Sequence, residues 1–392
     1  GLDAAQRGGN GLRGRVAAEL ADPSPAFSVA AEALLGFHGI RRGGDHDFIL
    51  RVRVPAGRLA APQYLALDDL ADRHGDGTLH LTPRQEVELP GILKRDLKEA
   101  IGAIHLARLT TLAAGGDVAR AVTAAAVRRD GVHRRLEEDA RRLCDHLLPR
   151  SDAYDELWLD GAAVAAAAED ALCGAAALPH KLEIGLALPQ DDAVDVLSND
   201  LAFIALPEGE RLLGYGLALG GQPSRPASPI AFIEPQDLLA AATAVVTLFR
   251  EHGERAEPNR ARLGHLAAQR GAAWVKARIE AGLGKSLAAP RPMPPLRVAN
   301  HLGWREQGDG QLSLGIAVPG GRIADGAAGA RRRAALRLVC KSFAASVLLL
   351  PQQVILGTIA PADRLAVTAA LGRLGVATER GEDAPLALQE AS

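Results

Sequence analysis

Leu79-His-Leu-Thr-Pro-Arg-Gln-Glu-Val-Glu-Leu89 and Val347-Leu-Leu-Leu-Pro-Gln-Gln-Val-Ile-Leu-Gly357 follow one plan: an apolar stretch, a proline with a glutamine close behind, and a second apolar stretch. Working outward, the surroundings also repeat. Before the first copy lie a strand pattern, Phe48-Ile-Leu-Arg-Val-Arg-Val54, a turn, Pro55-Ala-Gly-Arg-Leu59, and a helix pattern, Pro62–His74. Before the second lie Gln311–Val318, Pro319-Gly-Gly-Arg-Ile323 and Arg331–Phe343. A helix pattern closes each unit, Lys94–Leu109 and Pro361–Leu374. Pro319 follows Pro55 by 264 residues and Pro351 follows Pro83 by 268, as expected of a duplication with one small loop insertion.

The two copies bracket a block that mixes helices and strands. A long helix is expected at Asp130–Leu148, with Leu136, Ala140, Leu143 and Leu147 on its apolar face. Strands are expected at Glu156–Leu159, Lys181–Leu188, Leu201–Leu206 and Arg211–Leu219. Helices follow at Pro235–Glu251 and Asn259–Arg270, and Gly282–Pro295 reads as a linker. The expected organisation is α+β: an N-terminal arm at 1–45, a first repeat unit at 46–110, an α/β block at 111–288, a second unit at 289–378 and a tail at 379–392.

Composition narrows the function classes. Forty-five Lys and Arg against 47 Asp and Glu leave a net charge of −2, which excludes nucleic-acid binding by bulk charge. No apolar run reaches the ~18 residues of a membrane span, and the N-terminus shows no signal-peptide core. Three cysteines, Cys144, Cys173 and Cys340, read as reduced thiols of a cytoplasmic protein and fall short of the four thiolates of an all-cysteine cluster. His38, His46, His74, His105, His133 and His146 are scattered and read as solvated or capping residues. No metal site is expected.

Two strand faces carry concentrated charge. If Thr78–Leu89 is one continuous strand, His80, Thr82, Arg84, Glu86 and Glu88 share a face. Lys181 and Glu183 share a face two residues apart, where they can pair. A half-exposed antiparallel sheet explains this pattern as readily as a binding site does.

At these residues the chain resembles the siroheme sulfite and nitrite reductases. The resemblance rests on Gly75-Asp-Gly-Thr-Leu-His-Leu-Thr-Pro-Arg-Gln85 with Gly91-Ile-Leu-Lys94, and on His146-Leu-Leu-Pro149, Leu178-Pro-His-Lys181, Asn199-Asp-Leu-Ala-Phe-Ile204, His301-Leu-Gly-Trp304 and Gly321-Arg-Ile-Ala-Asp325. It covers most of Leu12–Val376. It implies two ferredoxin-like half-domains flanking a siroheme-type α/β domain, and a six-electron reduction of a small oxyanion at a siroheme coupled to a 4Fe-4S cluster. By position Arg51, Arg120 and Lys181 match the family's anion-binding set, and Thr82, Arg84 and Gln85 match its first signature.

The departures from the family are large. His80, Glu88 and Pro90 stand where the family has an arginine, a glutamine and a histidine, and Glu183 replaces a lysine. The chain ends at Ser392, about where the resemblance places the second siroheme domain with its cluster cysteines, so that domain is expected to be missing and a 4Fe-4S cluster is not expected from this chain's own cysteines. Glu88 and Glu183 put negative charge where a polycarboxylate cofactor and an anionic substrate would sit; two like charges at 4 Å cost ~4 kcal/mol at an effective dielectric of 20. The leading expectation is a non-catalytic subunit that pairs with a cluster-bearing homologue or with itself. The alternatives are one half of a split siroheme reductase completed in trans, and a tetrapyrrole-binding module without redox activity.

Overall fold

The structure, a computed structural model, describes residues 16–125, 127–149, 152–159, 178–220, 228–326 and 329–379. After a helical turn at 16–21, the first part of the chain forms α1 (Val29–Leu35), β1 (Ile40–Arg42), β2 (Asp47–Val52), β3 (Arg58–Leu59), α2 (Ala61–Arg73), β4 (Leu79–Leu81), β5 (Val87–Leu93) and α3 (Leu97–Leu106). The middle holds β6 (Ala119–Ala124), α4 (Gly131–His146), α5 (Asp152–Trp158), β7 (Leu182–Ala187), β8 (Leu201–Glu208), β9 (Arg211–Leu219), β10 (Pro229–Ile233), α6 (Leu238–His252), α7 (Leu263–Arg270) and α8 (Ala272–Leu283). The last part holds β11 (Gly303–Glu306), β12 (Leu312–Ala317), β13 (Arg322–Ile323), α9 (Arg332–Phe343), β14 (Ser346–Leu350), β15 (Gln353–Ile359) and α10 (Arg364–Arg373).

Among the described residues three five-stranded sheets form. The outer two run β1-β2-β5-β4-β13 and β11-β12-β15-β14-β3. Each half-domain therefore lends a two-residue strand to the other: β3 pairs with β14, and β13 with β4. The turns that feed these strands are the paired motifs at Pro55 and Pro319. Gly57 (φ +67) in the first turn lies so close to the Gln85 amide that a Cβ would stand 2.6 Å from it, and Gly321 (φ +69) has the same backbone conformation in the second turn.

The helices of the two repeats meet as charge complements. Asp68 on α2 is fully buried; Arg333 on α9 donates to its carboxylate through Nε at 2.6 Å and to its carbonyl through Nη2 at 2.6 Å. Arg337 bridges Asp68 and Asp69, and Arg333 also reaches Asp72. One apolar core runs through both half-domains, from Phe48, Leu50, Leu67 and Leu89 to Leu314, Leu336 and Leu356.

The middle sheet is mixed, β10-β9-β8-β7-β6, with β6, β7 and β8 parallel and the rest antiparallel. Asp130 caps α4, its carboxylate accepting from His133 N–H at 3.0 Å. Val132, Leu136, Ala140, Leu143 and Leu147 then face a separate core with the Ala-rich α6. A third, smaller cluster joins this sheet to the second half-domain, Ala187, Ala202 and Ile204 against Leu348, Leu350 and Ile355.

Several sequence expectations are corrected. Residues Glu156–Leu159 are not a strand: α5 covers them to Trp158, because Tyr154, Leu157 and Trp158 recur at helical spacing and pack into the half-domain core. The stretch Thr78–Leu89 is a hairpin, so His80 and Glu88 are partners across two strands. The arm is no separate piece from Phe27 onward: Phe27, Ala31, Leu35 and Ile40 enter the first core, and β1 is an edge strand of the first sheet. His38 is neither solvated nor a cap: it is buried, accepts Trp158 Nε1–H at 3.0 Å, and burial pushes it down to about 4. β6, β10, β11 and α8 have too few periodic residues to have been read from sequence. No helix among the described residues is long and apolar enough to cross a membrane.

Candidate functional site

The charged residues singled out above converge where the first half-domain meets the middle sheet. Antiparallel register sets Arg51 of β2 opposite Glu88 of β5. Arg51 donates to Glu88 Oε1 through Nε at 3.0 Å and Nη2 at 2.7 Å, and Arg41 of β1 donates to Oε2 at 2.8 Å. Burial would raise Glu88, but the two guanidiniums outweigh it and hold the carboxyl below its usual range. Arg51 and Arg120 both donate to the Ala114 carbonyl, which brings the two family-matched arginines to one point.

Glu183, on β7, closes the other side. Its Oε2 accepts from Arg84 Nη2 at 2.8 Å and Arg262 Nη2 at 3.3 Å, and its Oε1 pairs with Lys181 Nζ at 3.0 Å. Burial would raise this carboxyl too; Arg84 and Lys181 prevail and hold it at about 2. Arg262 is fixed a second time by Asp200, at 3.0 Å, and Asp200 also accepts the Glu183 N–H. Arg84 spans the domains, donating to Ser198 Oγ at 3.1 Å.

A third carboxyl lies between these groups. Glu86 is buried among Arg51, Arg53 and Arg120, yet burial pushes it up to about 7 against their pull. Among the described residues its Oε1 has no hydrogen-bond partner, and neither has the buried Nε of Arg120. Burial also lowers Arg120. Arg53 is buried as well and is spent on the carbonyls of Ala113 and Ala119.

The remaining candidates shape the scaffold. Thr82 Oγ1 accepts the N–H groups of Arg84 and Glu86 and so forms the hairpin loop. Gln85 (φ +58) is buried; its amide donates to Ala124 O at 3.0 Å and Leu349 O at 2.7 Å and accepts from Ala124 N at 2.7 Å. One side chain thus pins all three sheets. Pro90 sits at a β-bulge, where Phe48 pairs with Ile92 and Leu50 with Leu89, a position at which a strand tolerates proline. Its carbonyl accepts Asp76 N–H at 3.0 Å. His80 lies beside Thr78 Oγ1, at 3.3 Å.

Sequence reasoning missed Arg41, Arg262 and Asp200 as members of this cluster. Arg262 is 79 positions from the residue it binds, and no local pattern marks it. Glu86 stood on the expected polar face but was not carried into the candidate set.

The family's cofactors make demands that this donor set does not meet. A siroheme is a polycarboxylate and its substrates are anions, but Arg51, Arg84 and Lys181 already hold this chain's own carboxylates. The described cysteines do not suit a cluster either. Cys144 Sγ accepts Val122 N–H in the middle core, and burial pushes Cys340 up to about 12. Cys173 and most of the Gly220–Ser224 turn lie outside the described residues. The residues described here therefore do not fit the family's groups at this face. A separate surface groove of about 690 Å³ runs between α6 and α8, with Thr243, Thr247, Arg278 and His146 along it.

Comparison with known proteins agrees with this architecture. Residues 40–107 match the nitrite/sulfite reductase ferredoxin-like half domain, and residues 138–287 match the nitrite and sulphite reductase 4Fe-4S domain. The sulfite reductase (NADPH) hemoprotein beta-component of Acidithiobacillus ferrooxidans is 33% identical over 402 residues, covering 93% of this chain and 70% of that protein. The corresponding protein of Myxococcus xanthus is 35% identical over 341 residues, covering 80% of this chain and 61% of its own length. The fold is that of the Mycobacterium tuberculosis NirA protein, with a TM-score of 0.76 at 20% identity over 96% of this chain and 70% of that one. With two half-domains exchanging strands around a mixed middle sheet, and a 33% identical relative matched over 93% of this chain, the chain belongs to the nitrite and sulfite reductase family.

Proposed function

We propose that the chain is a non-catalytic member of this family, a pseudoenzyme subunit that acts by pairing with a protein partner such as a cluster-bearing homologue. The observation that carries this reading is the occupation of three of the four family-matched cations: Arg51 holds Glu88, Lys181 and Arg84 hold Glu183, and the fourth, Arg120, is turned to the Ala114 carbonyl. Charge that would polarise an oxyanion substrate is neutralised from within. Among the described residues both half-domain sheets keep five strands, and this scaffold is what a partner would dock on.

One observation favours a second reading, a split siroheme reductase completed in trans. Arg41, Arg51, Arg84, Lys181 and Arg262 outnumber the carboxylates they pair with, and each is 21–51% exposed. Purification from the native source separates the two. The first reading expects no siroheme absorption band, no sulfite- or nitrite-dependent oxidation of a reduced viologen dye, and a light-scattering mass above one 40.9 kDa chain. Stoichiometric siroheme with turnover in the purified complex would establish the second. Siroheme bound by the lone chain without turnover would make it a tetrapyrrole-binding module.

A further inference from the structure

We propose that Glu88 and Glu183 are built-in ligands: each carboxylate takes the place of a small exogenous anion among converging cations, and trimming it opens a site for a small carboxylate or oxoanion. The inference rests on the reading that this face no longer serves an external anion.

The geometry at Glu183 is the fuller case. Three cations reach it from three parts of the chain: Arg84 from the hairpin loop of the first half-domain, Lys181 from its own strand, and Arg262 from the segment before α7. Both carboxylate oxygens are used. The carboxylate itself is 7% exposed, whereas Arg84, Arg262 and Lys181 are 21%, 27% and 35% exposed, so the cations rim an approach from solvent and the carboxylate lies at its foot. Two of the cations also have a second anchor. Arg262 is held by Asp200 and Arg84 by Ser198, so both keep their positions when the carboxylate is removed. At Glu88 the pattern recurs with two cations: Arg41 and Arg51 take opposite oxygens, and Arg51 is anchored by the Ala114 carbonyl at 3.4 Å. A site of this kind selects by charge and size. Formate or sulfite fits the volume of a deleted side chain and can accept the same hydrogen bonds.

The test is anion rescue in the full chain. E183A, E88A and the parent are titrated with formate and with sulfite, at ionic strength held constant with chloride, and followed by thermal unfolding and calorimetry. E183A is expected to melt below the parent and to recover in a saturable way with formate or sulfite but not with chloride. Its affinity for either ion should be at least about tenfold tighter than the parent's. E183Q, which keeps the shape and removes the charge, should melt low without rescue. A lack of saturable rescue in E183A, with the parent equally inert, overturns the built-in-ligand assignment and leaves the proposed function standing. Saturable sulfite binding by the parent at the variant's affinity overturns both. If E183A does not fold, E88A carries the same test, since Arg41 and Arg51 both reach solvent.

Discussion

The two half-domains share a backbone plan and differ in what they put on one face of it. In the first, Arg51 pairs with Glu88, and Glu88 with His80. In the second, the same register positions hold Gly315, Ile355 and Leu348. Ile355 and Leu348 pack against the middle sheet in a small apolar core, while Arg51 and Glu88 pair with each other and with Arg41 inside their own half-domain. The hairpins differ as well: Pro351 and Gln352 make a two-residue connection, whereas the first loop has one more residue, Gln85, whose amide binds the other two sheets. A duplication therefore provides one copy that seals the interface and one that can vary. In this chain the first copy carries Glu88, which pairs with that copy's own Arg41 and Arg51.

Moving charge into the sealing copy breaks the comparison most severely. Ile355→Glu would bury a carboxylate with no cation among its apolar neighbours and should cost more than about 4 kcal/mol, or prevent folding, in urea denaturation. The seam between the repeats comes next. Asp68→Ala removes the buried carboxylate that Arg333 and Arg337 share at the α2–α9 contact and leaves them only the outer carboxylates of Asp72 and Asp69; about 2–4 kcal/mol should be lost in the same assay. Gln85→Ala leaves Ala124 N–H, Ala124 C=O and Leu349 C=O without this partner; about 2–3 kcal/mol is expected, together with faster hydrogen exchange at the Ala124 amide.

The pH response sharpens the contrast further. Glu86 is pushed up to about 7 in the folded chain, so between the ordinary carboxylate range and pH 7 the folded state holds a proton that the unfolded state has released. Stability contributed by this group therefore falls as pH rises through that window. Glu86→Gln should remove the fall, raising stability at pH 8 by up to about 3 kcal/mol and leaving it nearly unchanged at pH 4, as read from urea midpoints at the two pH values. Glu183 has the opposite sign: held at about 2, its contribution is present above the ordinary range and is lost only as pH falls toward 2. The smallest effect is expected at the rim. Arg41→Ala removes a half-exposed ion pair and should cost less than about 1 kcal/mol, reduced further by salt.

How far the sequence could be read depends on whether a feature is local. The repeat, the helices at α2, α4 and α9 and the strands β7 to β9 follow from periodicity, capping residues and turn chemistry, which neighbours in the chain specify. The Lys181–Glu183 pair was likewise legible, because residues two apart on a strand share a face. The alignment of Pro83-Arg-Gln with Pro351-Gln-Gln misled by one residue, since loop length is set by hairpin register: Glu86, not Gln85, stands where Gln353 stands. α5 misled because the run Leu157-Trp-Leu159 taken by itself looks like a strand, and its helical period shows only when Tyr154 is counted with it.

By itself the sequence determined the duplicated α+β plan, the family, and the presence of Glu88 and Glu183 on strand faces that also carry Arg and Lys. Only the tertiary structure decided that β3 and β13 change sheets, that Arg41, Arg84 and Arg262 reach those acids, and that Glu86 is shut in among three arginines without a full set of partners. The reason is physical: ion pairing and burial depend on distances between segments far apart in the chain, 265 residues in the case of Arg333 and Asp68, and only the packed fold sets those distances.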